Sequence, residues 1–380
     1  MPQNRCVNNP KIAIFVATSG HSGVDRAMQH LIPALAGRGY AVDLLKVRKH
    51  GPNLGQPPEG VRIIDMGTSH VYSSFVPLMR YLRQTRPTVM LCDKDRVNRT
   101  GLLAARLASP KTRVVLSSGT TISIDLATRG GFERWLQRTS MGKLYPFADN
   151  VIVTCAGVAD DMAAYTGLAR EKITPVESPV IPAELFSSAP PRPDHPWFAD
   201  GEPPVILGVG ELGYRKDFSS LIRAFAKLRQ ERPCRLMILG KGKQRQLLLD
   251  LATELGVAAD VALPGYKDNP FSYMAHAALF AFTSRWEGLG FVLIEALAVG
   301  TPAVATDCPS GPREILQDGR YGALIPVADV DALHAAMTHT LDAPLPPEKL
   351  REAARPYEIE AATDAYLRAF GLPPTPVEIA

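Results

Sequence analysis

Eight prolines fall in the 26 residues from Pro179 to Pro204, and they interrupt a chain that otherwise alternates short β-branched runs with amphipathic ones. Proline lacks a backbone donor and fixes φ, so neither a helix nor a central strand is expected through this segment. Before the break, Lys11–Ala17, Ala41–Val47, Val61–Met66, Thr88–Cys92, Arg113–Ser117 and Val151–Cys155 read as strands. Val24–Gly37, Phe75–Thr85 and Gly101–Ala108 between them read as helices. After it the pattern restarts. Val205–Val209, Arg235–Leu239, Val261–Leu263, Ala277–Thr283 and Pro302–Thr306 are strand candidates, and Asp217–Gln230, Gln244–Leu255, Phe291–Val299 and Asp329–Leu341 helix candidates. Strict alternation of this kind predicts parallel βαβ units and doubly wound α/β sheets. The expected domains are 1–182 and 204–354, joined by a Pro-rich linker at 183–203. A last helix, about 357–370, follows a second Pro-rich break, and either domain is open to it, with packing back on the first as one reading. Ligands of such sheets bind beyond the carboxyl ends of the strands, which places the expected site in the cleft between two domains.

The 380 residues suit about two domains, and 46% hydrophobic with 21% charged residues excludes a disordered or fibrous chain. No apolar run approaches the roughly 18 residues a membrane span needs. The apolar hexamer Ile12–Ala17 is too short for a signal-peptide core. Cys6, Cys92, Cys155, Cys234 and Cys308 are scattered without a CxxC pair, so no zinc cage or disulfide framework is expected, and a cytoplasmic location is.

Charge is uneven. Residues 1–180 carry 23 Lys and Arg against 13 Asp and Glu, whereas residues 181–380 carry 19 against 25. The basic charges are dispersed, with no block of five, which favours an anionic membrane surface or a phosphorylated acceptor over nucleic acid. Arg129, Arg134, Arg138 and Lys143 alternate with Phe132, Trp135, Leu136, Met141 and Leu144, a basic amphipathic stretch suited to the inner face of the cytoplasmic membrane.

The segment Ser284–Ala296 concentrates the chemistry. A strand ends near Thr283, a glycine-containing loop follows, and a helix begins near Phe291, whose first amides and dipole suit a phosphate. Glu287 lies in the loop and Glu295 eight residues on, inside an apolar helix where an unpaired carboxylate is costly. Two carboxylates beside a phosphate seat are explained if they accept hydrogen bonds from sugar hydroxyls.

This E-x7-E pattern resembles that of retaining glycosyltransferases of the GT-B fold, in the family 4 group that uses nucleotide-sugar donors. The resemblance extends to Gly208–Phe218, Leu239–Gly242, Leu263–Tyr266, Cys308–Ile315 and, at the N-terminus, Ser22–Arg26 with Gly23 in the loop before the first helix. It implies two Rossmann-like domains and a donor gripped by named residues. Glu287 would hold sugar hydroxyls and Glu295 the ribose. The backbone of Leu289, Gly290, Phe291 and Val292 would face the distal phosphate and sugar, Tyr266 would border the base, and Lys216 would meet the diphosphate. The activity implied is transfer, with retention and without a metal or other cofactor, of a hexose or N-acetylhexosamine. The donor is expected to be UDP-linked, and the acceptor a lipid-linked or saccharide intermediate.

Two positions depart from the family pattern. Glu211 stands where an arginine is usual, leaving Arg215 as the substitute beside Lys216, and Lys241 replaces an acidic residue so that a Glu211–Lys241 ion pair is expected. Gly119 stands where many members have a donor-contacting histidine, for which His21 is a stand-in. A nucleotide-sugar-binding protein without transfer and a GT-B epimerase are therefore the competing readings. Gly208–Gly213 also fits GxGxxG, but no acid follows its next strand to hold a ribose, which argues against a dinucleotide enzyme. Asp93-Lys94-Asp95 fits a metal-binding DxD, and a capping or wall role is the simpler reading.

Overall fold

The computed structural model of the protein describes residues 10–18, 20, 22–127 and 129–375. The chain divides into two compact units, one running to Val180 and resuming at Ile359, the other Ile181–Glu358.

The first unit is a seven-stranded parallel sheet. Its strands are β1 Lys11–Val16, β2 Ala41–Lys46, β3 Val61–Asp65, β4 Val89–Asp93, β5 Arg113–Ser118, β6 Asn150–Val153 and β7 Ile173–Pro175, in the order β3-β2-β1-β4-β5-β6-β7. Four of the six residues of β2 and all five of β4 are buried, as in a sheet covered on both faces. The helix Gly23–Gly37 begins at a capping box in which Ser22 and Asp25 satisfy each other's backbone donors. The last helix, Ile359–Phe370, belongs to this unit. Its Tyr366, Leu367 and Phe370 enter the core formed by Ile12, Ile14, Leu31 and Leu35. Arg38 pairs with Glu360 and Asp364, and Asn150 donates to the Ala369 carbonyl at 3.1 Å, so the returning chain is fixed by charge as well as by apolar contact.

The second unit is a six-stranded parallel sheet of β8 Val205–Val209, β9 Arg235–Leu239, β10 Val261–Gly265, β11 Leu279–Phe282, β12 Ala303–Thr306 and β13 Ala323–Ile325. Its order is β10-β9-β8-β11-β12-β13, so the chain moves outward from β8 in one direction and then restarts beside β8 in the other. Gly208 lets the helix Phe218–Glu231 lie close on this sheet, since a Cβ there would stand 3.0 Å from the Phe218 ring.

Several elements differ from the sequence expectation. The segment 183–203 is not bare linker. It holds a short helix, Glu184–Ser187, and a turn, Pro196–Phe198, in which Pro196 takes a first-turn position that needs no amide donor. Phe198 is buried edge-on against Tyr273 at 5.7 Å, and the Arg235 guanidinium lies 5.0 Å from the Trp197 ring, which ties the segment to the second unit. Pro347 likewise starts a helix, Pro347–Ala354, where prolines pointed to a break. The helix expected at Gly101 begins earlier, at Asp95. The three-residue strands β7 and β13 are too short to show a period. Among the described residues no helix is long and apolar enough to cross a membrane.

Candidate active site

In the second sheet the loops after β8 and β11 leave adjacent strands where the strand order reverses, the place at which open α/β sheets form a ligand crevice. The first loop runs from Gly210 through the turn Tyr214–Lys216 to Asp217, whose φ of 48° is a left-handed conformation that aspartate tolerates better than most residues. The second runs from Thr283 to Gly290. Two bonds stitch them together: Thr283 Oγ1 donates to the Lys216 carbonyl at 2.8 Å, and Arg285 N to the Arg215 carbonyl at 2.7 Å. Arg285 also pairs with the buried Asp217 at 2.8 Å and lies over Tyr214.

This stitching converges three charged groups. Lys216 Nζ donates to Glu287 Oε1 at 2.7 Å, Arg215 Nη1 bonds Glu287 Oε2, and Ser284 Oγ donates to Oε1 at 2.8 Å. Glu287 and Lys216 are each only 8% exposed, so the pair is held away from water. Burial opposes ionisation of Glu287, but the charges of Lys216 and Arg215 outweigh it and hold the carboxyl below its ordinary range. The lysine stem runs over Gly210, where a Cβ would stand 2.8 Å from Cε, and its ammonium lies 5.1 Å from the Phe282 ring centre. Two cations share one carboxylate. The cluster therefore carries one net positive charge beside the start of the helix Phe291–Ala298, where backbone amides lack intrahelical acceptors. Such a place suits an anion.

The surrounding backbone is fixed by close approach. Gly290 adopts φ 103° at the helix start, with Phe282 packed where a side chain would go. Gly311, at φ 99°, lies so near the Leu289 carbonyl that a Cβ would stand 1.8 Å from the oxygen. Leu289 is buried, Phe291 and Val292 half-buried, and Glu295 is 1% exposed within the helix. Beside Glu287, burial pushes the Cys308 thiol up to about 12, with the carboxylate charge adding to it.

The structure thus brings together Arg215, Lys216 and Glu287, with Leu289, Gly290, Phe291, Val292 and Glu295 on the segment that follows. Tyr266 stands just past β10, exposed, with Lys241 Nζ 5.8 Å from its ring centre. Lys241 faces this ring and forms no ion pair with Glu211, which is itself exposed; the expected pair is replaced by a cation–aromatic contact. Gly23 and Gly119 belong to the first unit, Gly23 at the start of its first helix and Gly119 just after β5. His21 lies outside the described residues. Asp93 accepts from Ser117, and Asp95 pairs with Arg99 and accepts from Gln137, so both acids of the DxD are engaged within the fold. Sequence reading missed Ser284 and Phe282. The Ser-x-x-Glu spacing was a signal for the first; nothing local signals the second.

Residues 22–178 match the family described as Glycosyl transferase 4-like domain, and residues 194–357 match Glycosyl transferases group 1. The chain belongs to the family 4 type of glycosyltransferases. Its two Rossmann-like units are those of the GT-B fold. The glycosyltransferase of Rickettsia africae superposes with a TM-score of 0.78 at 14% identity, covering 96% of this chain and 98% of that one. HepE of Anabaena, solved with UDP, gives 0.76 at 15% identity over 95% and 99%. In sequence, this glycosyltransferase is 29% identical over 366 residues to a Campylobacter jejuni enzyme, N-acetylgalactosamine-N,N'-diacetylbacillosaminyl-diphospho-undecaprenol 4-alpha-N-acetylgalactosaminyltransferase. That match covers 93% of this chain and 94% of the relative.

Proposed function

We infer that the protein transfers a hexose or N-acetylhexosamine from a UDP-linked donor to a lipid-linked or saccharide acceptor, with retention, in surface polysaccharide or glycan assembly. The observation that carries this reading is the Arg215–Glu287–Lys216 cluster at the strand-order reversal, beside a helix start. A relative named for transfer to a diphospho-undecaprenol-linked saccharide, matched along nearly its whole length, supports the acceptor class, and a fold neighbour solved with UDP supports the base.

On this reading the donor diphosphate takes over the two cations that pair with Glu287. Glu287, released from Lys216 and Arg215, then accepts hydrogen bonds from donor-sugar hydroxyls, and Glu295 meets the ribose. Tyr266 borders the base. As the sugar–phosphate bond lengthens, the sugar becomes oxocarbenium-like and negative charge builds on the departing phosphate. Lys216, Arg215 and the amides at the start of the helix Phe291–Ala298 face that charge already oriented, so their attraction costs no reorganisation at the moment of bond breaking. The leaving phosphate takes the acceptor proton. These cations do the work that a metal does in other transferases, so transfer is expected to persist in EDTA.

The basic helix Gly131–Leu144 turns Phe132, Trp135 and Leu136 to solvent, a face suited to an anionic leaflet. Binding to phosphatidylglycerol vesicles is expected to weaken with salt, and salt-independent binding or none removes the membrane part of this reading.

The function is tested by thermal shift against UDP-, GDP- and ADP-sugars, followed by transfer assays with the donor that shifts. A UDP-selective shift with transfer to a diphosphate-linked acceptor, and an axial product linkage from an axial donor, is the expected result. A shift without transfer identifies a binding protein, and product formed without any acceptor identifies an epimerase.

A further inference from the structure

The first unit holds a cavity of about 400 Å3 beyond the carboxyl ends of β2 and β3, lined by Lys46, Arg48, Lys49, His50, Asn53 and Asp65, with Ile63 as an apolar wall. Three permanent cations face one carboxylate. Asp65 already accepts from the Gly67 amide at 2.7 Å, and among the described residues no carboxylate pairs with Lys46, Arg48 or Lys49. The only side-chain bond from any of the three is Lys46 Nζ to Asn53 Oδ1 at 3.0 Å, among the described residues.

The turn that gathers these cations is built in. Arg48 N donates to the Thr68 carbonyl, His50 N to the Val47 carbonyl, and Gly51 N to the Thr18 carbonyl at 2.9 Å. Lys49 is held at φ 65°, a left-handed conformation that costs a lysine more than it would an asparagine or glycine. Gly51 has no room for a side chain, since a Cβ would stand 2.4 Å from Asp25 Oδ1. His50 Nδ1 lies 3.2 Å from the Thr18 carbonyl and must donate to it, which turns the imidazole into the turn and fixes its plane. Like charges gathered without partners repel one another, and a rigid turn that holds them together has its field already oriented toward an anion.

We propose that this groove binds the diphosphate of the acceptor. The proposal rests on the reading of the chain as a transferase with a lipid-linked acceptor and names the chemistry that the acceptor presents. The groove is lined by residues of the first unit alone.

The test is calorimetric titration of inorganic pyrophosphate into the full chain saturated with UDP, with the double variant Arg48→Gln/Lys49→Asn as comparison. Asparagine is chosen because it accepts the left-handed backbone at position 49. The expected result is at least tenfold weaker pyrophosphate binding in the double variant, with its UDP thermal shift equal to that of the wild type. Repeating the titration in a Lys216→Ala background excludes the second unit's cation as the source of the signal. If pyrophosphate binding is unchanged by the double variant, or vanishes in Lys216→Ala alone, the groove is not the site and the proposal falls. A missing UDP shift in the wild type overturns the donor reading instead and leaves the effect of the double variant to judge the groove. Phosphatidylglycerol vesicles and inorganic phosphate separate the sources: loss of vesicle binding with pyrophosphate binding intact makes the groove a lipid headgroup seat and overturns the acceptor assignment.

Discussion

The two units treat positive charge in opposite ways. In the second, Lys216 is buried against Glu287, and the half-exposed Arg215 shares the same carboxylate. In the first, Arg48 and Lys49 stand exposed and unpaired on a turn fixed by three backbone hydrogen bonds. A buried cation that kept no counter-charge would be strongly destabilising, so Lys216 is held against an acid. An exposed cation keeps its hydration and needs no such partner, but its field is screened by salt. The difference teaches that the second unit's site is organised by the fold, whereas the groove in the first is organised by its turn and is sensitive to the medium.

The largest expected effect comes from the core. Phe370 is fully buried in the first unit although it lies near the chain's end, and Phe370→Ala should cost about 3–5 kcal/mol, a fall in the denaturant midpoint. The comparison between units is broken if the second unit's sheet, followed by hydrogen exchange, loses protection as much as the first.

Lys216→Ala should come next, lowering kcat by about 10²–10³ if the ammonium faces charge that develops on the leaving phosphate. It also leaves Glu287 buried with the half-exposed Arg215. A loss confined to KM would mean that the lysine holds donor and transition state equally and would remove its catalytic role.

A buried acid whose burial outweighs the cation beside it should behave in the opposite sense to Glu287. Asp93 in the first unit is raised to about 6 by burial, against its bond from Ser117. Between its unfolded value near 3.8 and about 6 the folded chain binds more protons, so this group's contribution to stability falls as pH rises through that window. Glu287, depressed, contributes stability that is present above the ordinary carboxylate range and lost as pH falls through its folded value. Asp93→Asn should therefore stabilise the chain at pH 7 by up to about 3 kcal/mol and lose that advantage below pH 4, measured by urea melts across pH. A pH-independent effect would show that the fold does not raise the titration of this carboxyl.

The smallest effect sharpens the contrast in salt. Pyrophosphate binding at the groove should weaken several-fold between about 0.05 and 0.3 M salt, while the hydrogen-bonded pairing of Lys216 with Glu287 changes little over the same range. Equal salt dependence at the two places would erase the distinction between an exposed and a buried cation.

The alternation of β-branched and amphipathic runs was sufficient to read most strands to within a residue or two, because each parallel strand needs a buried run and each crossover a helix of its own. The Ser284–Ala296 segment showed its acids and its helix start for the same local reason. By itself, then, the sequence determined the class of fold and the family resemblance, and it singled out the segment that holds the candidate site. Which charges meet was decided by the tertiary structure: Lys216 and Glu287 lie 71 residues apart and pair because β8 and β11 are neighbours where the strand order reverses. Lys241 turned to Tyr266 for a similar reason, since the contact lies between loops of adjacent strands β9 and β10. The fate of the proline-rich segments was also tertiary, as Pro196 and Pro347 each begin a helical turn once neighbouring apolar surface makes one worthwhile. Local pattern fixes what a residue offers; only the closing of the sheets brings it to a partner, because that pairing depends on contacts no short window of sequence contains.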